Sequence, residues 1–252
     1  MAKLKNPLRF ALCLLPIAIV AGIFVSRYQL DTYSDELIAE AVAVLGSTDV
    51  LVVIGAVQTV GYALFCGFLG YLLADQLGLW KPIQFRKKEL LVTAVLSIIG
   101  GFIFSLDHWV FGSMIDGIQE ANAASLTVSG VIGTVLYGGI IEEVMLRLFF
   151  MSLIALILWK VFYKQYDRER IPGGVFVAAN IIAALVFAAG HLPATAVLFG
   201  ELTPLILFRC FLLNGSFGLL FGWLYRKYGF AYAMTSHTLF HIVCKLIWFL
   251  FI

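Results

Sequence analysis

The chain has 252 residues, of which 62% are apolar and only 13% are charged, and its formal net charge at pH 7 is +2. A soluble domain of this length needs about twice that share of charged residues on its surface. The composition therefore excludes an ordinary soluble enzyme. The sequence contains no nucleotide-binding loop and no nucleic-acid module, so we expect no nucleic-acid partner.

Seven apolar segments follow one another along the chain. They are Leu8–Val25, Val50–Leu79, Leu90–Leu106, Leu126–Phe162, Val175–Gly190, Pro204–Tyr225 and Phe230–Ile252. As one straight α-helix the fourth would reach about 55 Å, against a hydrocarbon core of about 30 Å, so we expect it to bend or break near Gly138 and Gly139. The predicted fold class is all-α: a polytopic transmembrane bundle of seven to eight helices with a polar intramembrane cavity, forming a single domain over residues 1–252.

Basic residues fall on alternate sides of these segments. Of the 17 Lys and Arg residues, 13 lie before the first segment or after the second, fourth and sixth, and the opposite loops are acidic. The basic clusters are Lys3, Lys5 and Arg9; Lys81, Arg86, Lys87 and Lys88; Lys160, Lys164, Arg168 and Arg170; and Arg226 with Lys227. The positive-inside rule then places the N-terminus in the cytoplasm and the protein in the cell membrane, with its first helix retained.

Two connecting stretches have the pattern of amphipathic helices that lie along a membrane surface. Asp35–Leu45 places its aliphatic residues on one helical face, and Asp107–Ala124 mixes large apolar residues with acids. An ordinary extracytoplasmic loop is the alternative for both stretches.

The fourth segment contains Glu142, Glu143 and Arg147 between uncharged runs. On a helix Glu143 and Arg147 are four residues apart and can pair, whereas Glu142 lies 100° away. Two adjacent carboxylates in a low-dielectric medium do not both ionise easily. The pattern predicts one glutamate fixed by the arginine and one available for acid–base chemistry; a buried ion pair that only holds helices together is the alternative.

Three histidines lie in the later apolar segments. Phe187 and His191 share a helical face just before Pro193, and His237 and His241 share a face of the last segment. Such histidines can be structural hydrogen-bonding residues, and the spacing of the last two also suits two zinc ligands. The helical zinc-protease signature, however, needs a glutamate at position 238, where this chain has Thr238.

Two weaker signals complete the candidates. Arg209 either binds a peptide carboxylate or lipid headgroup, or pairs two helices. Gly218 and Gly222 form a GxxxG pattern, which we interpret as helix packing alone.

The three polar motifs together resemble the type II CAAX prenyl endopeptidase family and its bacterial relatives labelled abortive-infection or bacteriocin self-immunity proteins, the CPBP group. The family pattern is EExxxR, FxxxH and then HxxxN or HxxxD. This chain has Glu142, Glu143 and Arg147, then Phe187 and His191, then His237 and His241. The resemblance covers roughly residues 130 to 245, within a motif-bearing core of about 126–250.

The resemblance implies a glutamate-dependent intramembrane endopeptidase without a cofactor, acting on peptides or proteins within the lipid bilayer. Glu142 would activate a water that His191 helps to hold, and Glu143 and Arg147 would set the charge and geometry around it. His237 and His241 would donate hydrogen bonds to the oxyanion, and Phe187 would contact substrate.

One position departs from the family pattern, since His241 stands where Asn or Asp is usual. A neutral imidazole still donates one hydrogen bond, but it can also ligate a metal. The alternatives are a non-catalytic immunity, interaction or scaffold protein that uses the same cavity, a zinc-dependent intramembrane protease and a proton-coupled transporter.

Overall fold

The computed structural model describes residues 2–82, 84 and 86–252, with side chains from residue 4 onward within those ranges. Lys3, part of the predicted N-terminal basic cluster, is therefore outside the described side chains. All regular secondary structure in the described ranges is helical. Seven of these helices are long and apolar enough to cross a membrane, which confirms the predicted polytopic bundle.

The bounds of the helices follow the predicted segments closely. The spanning helices are α1 (Leu4–Thr32), α3 (Thr48–Leu77), α4 (Lys87–Val110), α6 (Val128–Phe162), α7 (Gly173–Phe199), α8 (Pro204–Tyr228) and α9 (Phe230–Phe251). Two short helices connect them, α2 (Asp35–Leu45) and α5 (Ile118–Ala124). Hydroxyl side chains cap three of the spanning helices, because Ser47, Thr127 and Thr203 each accept a hydrogen bond from the first turn of α3, α6 and α8.

The two connecting stretches differ from each other. α2 has the predicted bounds, is capped by Ser34 and has no buried residue, as a surface helix requires. Residues 107–124 do not form one surface helix. Instead, Phe111 and Ile115 lead into α5 and pack with Ile206 of α8, so this stretch covers one end of the bundle.

The fourth segment does not break, so the break that was one of the two outcomes predicted near Gly138 and Gly139 is wrong. α6 is continuous over 35 residues, and most of its middle, Thr134–Glu142 and Val144–Met151, is wound as π-helix. A π-helix is wider than an α-helix and advances less per residue, which shortens the span of a long segment. π-helical turns are also frequent at functional sites.

α6 occupies the centre of the bundle, where it contacts α1, α3, α7, α8 and α9. Glycines at two contacts allow this close packing. A Cβ on Gly139 would lie 2.8 Å from the Cα of Thr238 in α9, and a Cβ on Gly138 would lie 2.6 Å from Nε2 of His241. The two glycines that suggested a break therefore bring α9 and its histidines against α6.

Candidate active site

A cavity of about 540 Å³ lies between α1, α6, α7, α8 and α9. Its wall includes Glu142 of α6, Phe187 and His191 of α7, and His237 and His241 of α9. These five residues are separated by as many as 99 positions in the sequence, and the predicted cavity that brings them together is present.

Glu143 and Arg147 form a buried ion pair beside this cavity. Their side chains are 0% and 1% exposed, and Nη1 of Arg147 lies 3.0 Å from Oε1 of Glu143. Nη2 of Arg147 donates to the carbonyl oxygen of Gly218 at 3.2 Å. The guanidinium is also close to two aromatic rings, with its Cζ 4.4 Å from the centroid of Phe187 and 5.5 Å from that of Phe221. The arginine is therefore fixed by charge, by a hydrogen bond and by two ring faces.

The carbonyl oxygen of Gly218 accepts a hydrogen bond from Arg147. The GxxxG pattern therefore helps to hold this arginine, in addition to the helix packing that the sequence indicated. A Cβ at this position would meet the Cα of Ala184 at 3.2 Å and Nη2 of Arg147 at 3.3 Å. The glycine thus brings α8 close to α7 and leaves room for the guanidinium.

A chain of hydrogen bonds continues from Glu143 through two imidazoles. Nδ1 of His237 lies 2.9 Å from Oε1 of Glu143, and Nε2 of His237 lies 3.1 Å from Nε2 of His241. With Glu143 ionised and both rings neutral, Nδ1–H of His237 donates to the carboxylate and Nε2–H of His241 donates to His237. The ring of Phe221 stacks on His237 with centroids 4.2 Å apart and holds that ring in place.

Glu142 is outside this chain. It lines the cavity, and no hydrogen bond joins its carboxylate to any other residue that the structure describes. Its neighbour Glu143, in contrast, contacts both Arg147 and His237. The two adjacent glutamates are thus in different surroundings, one fixed and one facing the open space.

His191 lines the cavity and lies where the α-helical winding of α7 is interrupted for one residue. It separates two helical halves, Gly173–Gly190 and Leu192–Phe199, the second of which has a proline in its first turn. Nδ1 of His191 lies 2.8 Å from the carbonyl oxygen of Phe187. The planes of the two rings are 86° apart, in an edge-to-face arrangement. A carbonyl accepts only, so Nδ1 carries a proton, and in the neutral ring Nε2 remains as an acceptor.

Sequence reasoning missed Phe221 and Tyr137 at this site, and it assigned Gly218 to helix packing alone. Phe221 and Tyr137 line the cavity. The chain contains 22 Phe and 10 Tyr residues, so aromatic identity alone gives no signal for which of them face the site. Tyr137 lies five residues before Glu142 in α6, and the π-helical winding that places both on one wall is not visible as an α-helical periodicity.

The structure does not assemble a third ligand beside His237 and His241 for the zinc alternative. Within residues 2–82, 84 and 86–252, no group of three or more His, Cys, Asp or Glu side chains is arranged to hold a metal ion. The two imidazoles are bonded to each other instead.

Arg209 lies in a separate ion pair, not in the cavity wall. Its Nε and Nη2 atoms each lie 2.6 Å from an oxygen of Asp107, at the end of α4. Asn122 donates to the same carboxylate at 3.2 Å. Arg209 therefore pairs two helices, which is one of the two roles predicted for it; the other was binding of a peptide carboxylate or lipid headgroup.

The fold and the cavity together define a polytopic helical membrane protein with titratable groups gathered inside its bundle. Residues 123–243 match the family described as Type II CAAX prenyl endopeptidase Rce1-like. The matched stretch contains all three polar motifs and supports the resemblance to the CPBP group that these motifs indicate. No curated protein and no solved structure matches the chain.

Proposed function

We propose that this protein is a glutamate-dependent intramembrane endopeptidase that hydrolyses peptide bonds of membrane-associated peptides or proteins. Its active site is the cavity lined by Glu142, His191, His237 and His241. The protein acts in the cell membrane with its N-terminus in the cytoplasm, and no cofactor takes part.

Glu142 is the general base. Its carboxylate takes a proton from a water held with the help of His191 Nε2, and the water oxygen attacks the scissile carbonyl carbon. When the C–N bond breaks, Glu142 passes this proton to the leaving amine, and the new carboxylic acid loses the second proton of the water to the amine or to solvent and becomes a carboxylate. General acid–base catalysis by such a positioned group contributes roughly 10²- to 10⁴-fold in rate.

Glu143 and Arg147 are positioning residues. Their ion pair fixes His237, which in turn holds His241 at the cavity wall. During attack His241, supported by His237, donates a hydrogen bond to the oxyanion, and Phe187 contacts the substrate beside His191. The proton on His241 Nε2 is directed to His237, so the oxyanion competes with this ring for the donor.

The observation that carries the proposal is the difference between the adjacent glutamates. Glu143 has two partners, whereas Glu142 faces a cavity shared with His191 and is bonded to no other described residue. A half-buried carboxylate without a structural partner is costly within a membrane, and a reaction explains its presence.

Comparative peptidomics of membranes tests the proposal. Wild-type protein is compared with Glu142→Gln and with His191→Ala, after each has been shown to accumulate in the membrane at the wild-type level. We expect both substitutions to remove the cleavage products. Wild-type cleavage by both variants would contradict the proposal and favour the non-catalytic immunity or scaffold function.

A further inference from the structure

A smaller cavity, of about 200 Å³, lies at one end of the bundle and shares no wall residue with the candidate active site. It is bounded by the segment between α3 and α4 and by the turn that joins α8 to α9. Since successive spans alternate in direction, these four helix ends lie on one side of the membrane. This is the side of the basic clusters, which we place in the cytoplasm.

The charges around this cavity do not balance. Among the described residues that line it, Lys81, Arg86 and Lys227 are positive and Glu89 is negative. Burial lowers the pKa of the Lys81 ammonium, and the nearby charges of Arg86 and Arg226 lower it further. An anion in the cavity would relieve this repulsion.

Lys81 is held in the wall by residues that are far along the chain. Its Nζ donates to the carbonyl oxygens of Arg226 and Lys227, at 3.0 and 2.7 Å, where α8 ends. Gly229 allows this approach, because its φ is +115° and a Cβ there would lie 3.2 Å from the Cβ of Lys81. The two carbonyls use two of the three N–H donors of the ammonium, and the third is left for a ligand.

Tyr232 of α9 holds Arg86 at the wall. Its hydroxyl donates to the carbonyl oxygen of Gln84 at 2.5 Å and accepts from the backbone N–H of Arg86 at 3.2 Å. Oε1 of Gln84 accepts from Nε and Nη2 of Arg86, at 3.0 and 2.8 Å. Nη1 of this arginine has only a contact of 3.8 Å with Glu89. Both cations are therefore oriented before a ligand enters, which lowers the entropic cost of binding.

The third cation, Lys227, is exposed and lies beside two aromatic rings. Its Nζ is 5.0 Å from the ring centroid of Trp223 and 5.8 Å from that of Tyr228. Tryptophan and tyrosine are enriched at the depth of the lipid headgroups. These rings, at the end of a spanning helix, indicate that the cavity lies near the headgroup phosphates.

From the unbalanced charge and the fixed donors we propose that this cavity binds a phosphate group with a net negative charge, carried by a lipid headgroup or by a soluble phosphate ester. Charged N–H donors of lysine and arginine form short, strong hydrogen bonds to phosphate oxygens. A bound phosphate would connect the segment between α3 and α4 to the turn between α8 and α9. The proposal is independent of the hydrolysis proposed above.

The experiment measures lipid binding to the full-length protein in micelles of an uncharged detergent, by native mass spectrometry at increasing lipid concentrations. The probes are dioctanoyl phosphatidylglycerol, which is anionic, and dioctanoyl phosphatidylcholine, which has a phosphate but no net charge. We expect the anionic lipid to bind at least about tenfold more tightly. Equal affinities, or no saturable binding of phosphatidylglycerol, would overturn the proposal.

Paired double variants locate the binding in the cavity. A basic residue near the membrane surface contributes about fivefold to the binding of anionic lipid, so we expect Arg86→Gln/Lys227→Gln to weaken phosphatidylglycerol binding at least about tenfold. Lys160→Gln/Lys164→Gln removes two exposed charges on the same side, outside the cavity, and should leave the affinity within about twofold. Equal losses in two folded double variants would show that general surface charge binds the lipid, which would overturn the proposal.

Two further measurements sharpen the result. Glu89→Gln removes the acid from the wall, so it should tighten phosphatidylglycerol binding about twofold or more, and weaker binding would contradict the charge argument. Glycerol 3-phosphate distinguishes the two sources of the phosphate. Displacement of the lipid by an equal concentration of glycerol 3-phosphate would support a soluble ester as the ligand, whereas retention of the lipid would support the headgroup.

Discussion

Among the described residues, two ion pairs between an acid and an arginine lie inside the bundle, and they are built differently. Asp107 and Arg209 make two bonds of 2.6 Å, and Asn122 adds a third to the carboxylate. Glu143 and Arg147 make one contact of 3.0 Å, and Oε2 of Glu143 is buried with no hydrogen-bond partner among the described residues.

The surroundings of the two ion pairs also differ. The Asp107 pair is closed, since both oxygens of its carboxylate accept hydrogen bonds from side chains of the protein and neither residue lines the cavity. The Glu143 pair continues through His237 to His241 at the cavity wall. The Asp107 pair joins helices, whereas the Glu143 pair belongs to the catalytic site that we propose.

The largest expected effect is the loss of stability when either pair is broken. Asp107→Asn and Glu143→Gln each leave an arginine without its counter-ion in the bundle, and removing one partner of a buried pair costs about 3–5 kcal/mol. Unfolding by denaturant in detergent micelles measures this cost. Wild-type unfolding free energies for both variants would show that the pairs do not stabilise the bundle.

Removing both partners separates structure from activity. The double variants Asp107→Asn/Arg209→Met and Glu143→Gln/Arg147→Met are each expected to recover most of the stability lost in the single variants, because no uncompensated charge remains. Cleavage per folded molecule should stay near the wild-type rate only in the first double variant. Equal cleavage rates in the two double variants would contradict the conclusion that only the Glu143 pair supports activity.

His241 tests whether the chain of hydrogen bonds ends in an oxyanion donor. His241→Ala removes that donor and should lower the cleavage rate about 10²- to 10³-fold. His241→Asn restores an N–H donor of the type usual in the family, so its rate should lie well above that of His241→Ala. Equal cleavage rates for His241→Ala and His241→Asn would show that His241 does not donate to the oxyanion.

The smallest expected effect comes from Phe221. Phe221→Leu keeps an apolar side chain but removes the ring stacked on His237 and near Arg147. Aromatic pairs contribute about 0.5–1.5 kcal/mol beyond their buried area, so we expect a stability loss near that size and a reduced cleavage rate. Phe217→Leu, at another ring of the cavity wall, is the control and should affect the rate less.

The seven spans and the polar motifs were readable from the sequence because charge is rare in apolar runs. Glu142, Glu143 and Arg147 interrupt two uncharged stretches, and the same contrast identified His191, His237 and His241. Their convergence is a tertiary property that the sequence predicted only through the resemblance to a family.

The features that the sequence did not predict depend on the helical winding of α6 and on ion pairs between residues far apart in the chain. The sequence presents Asp107 as a loop residue at the end of an apolar segment, with nothing that connects it to Arg209 across 102 positions. The length of the segment, together with Gly138 and Gly139, indicated a bend or a break, but a glycine pair in a long segment also suits close helix contact. The structure has the contact, and the π-helical winding of α6 accommodates the length.

The most direct test of the central claim is hydrolysis in ¹⁸O-labelled water. The wild-type protein, Glu142→Gln and the Asp107→Asn/Arg209→Met double variant are reconstituted in vesicles with membrane polypeptides of the expression host, and the new C-termini are analysed by mass spectrometry. The account predicts new carboxylates carrying one ¹⁸O atom with the wild type and with the double variant, and none with Glu142→Gln. Labelled C-termini at the wild-type level from Glu142→Gln would contradict it.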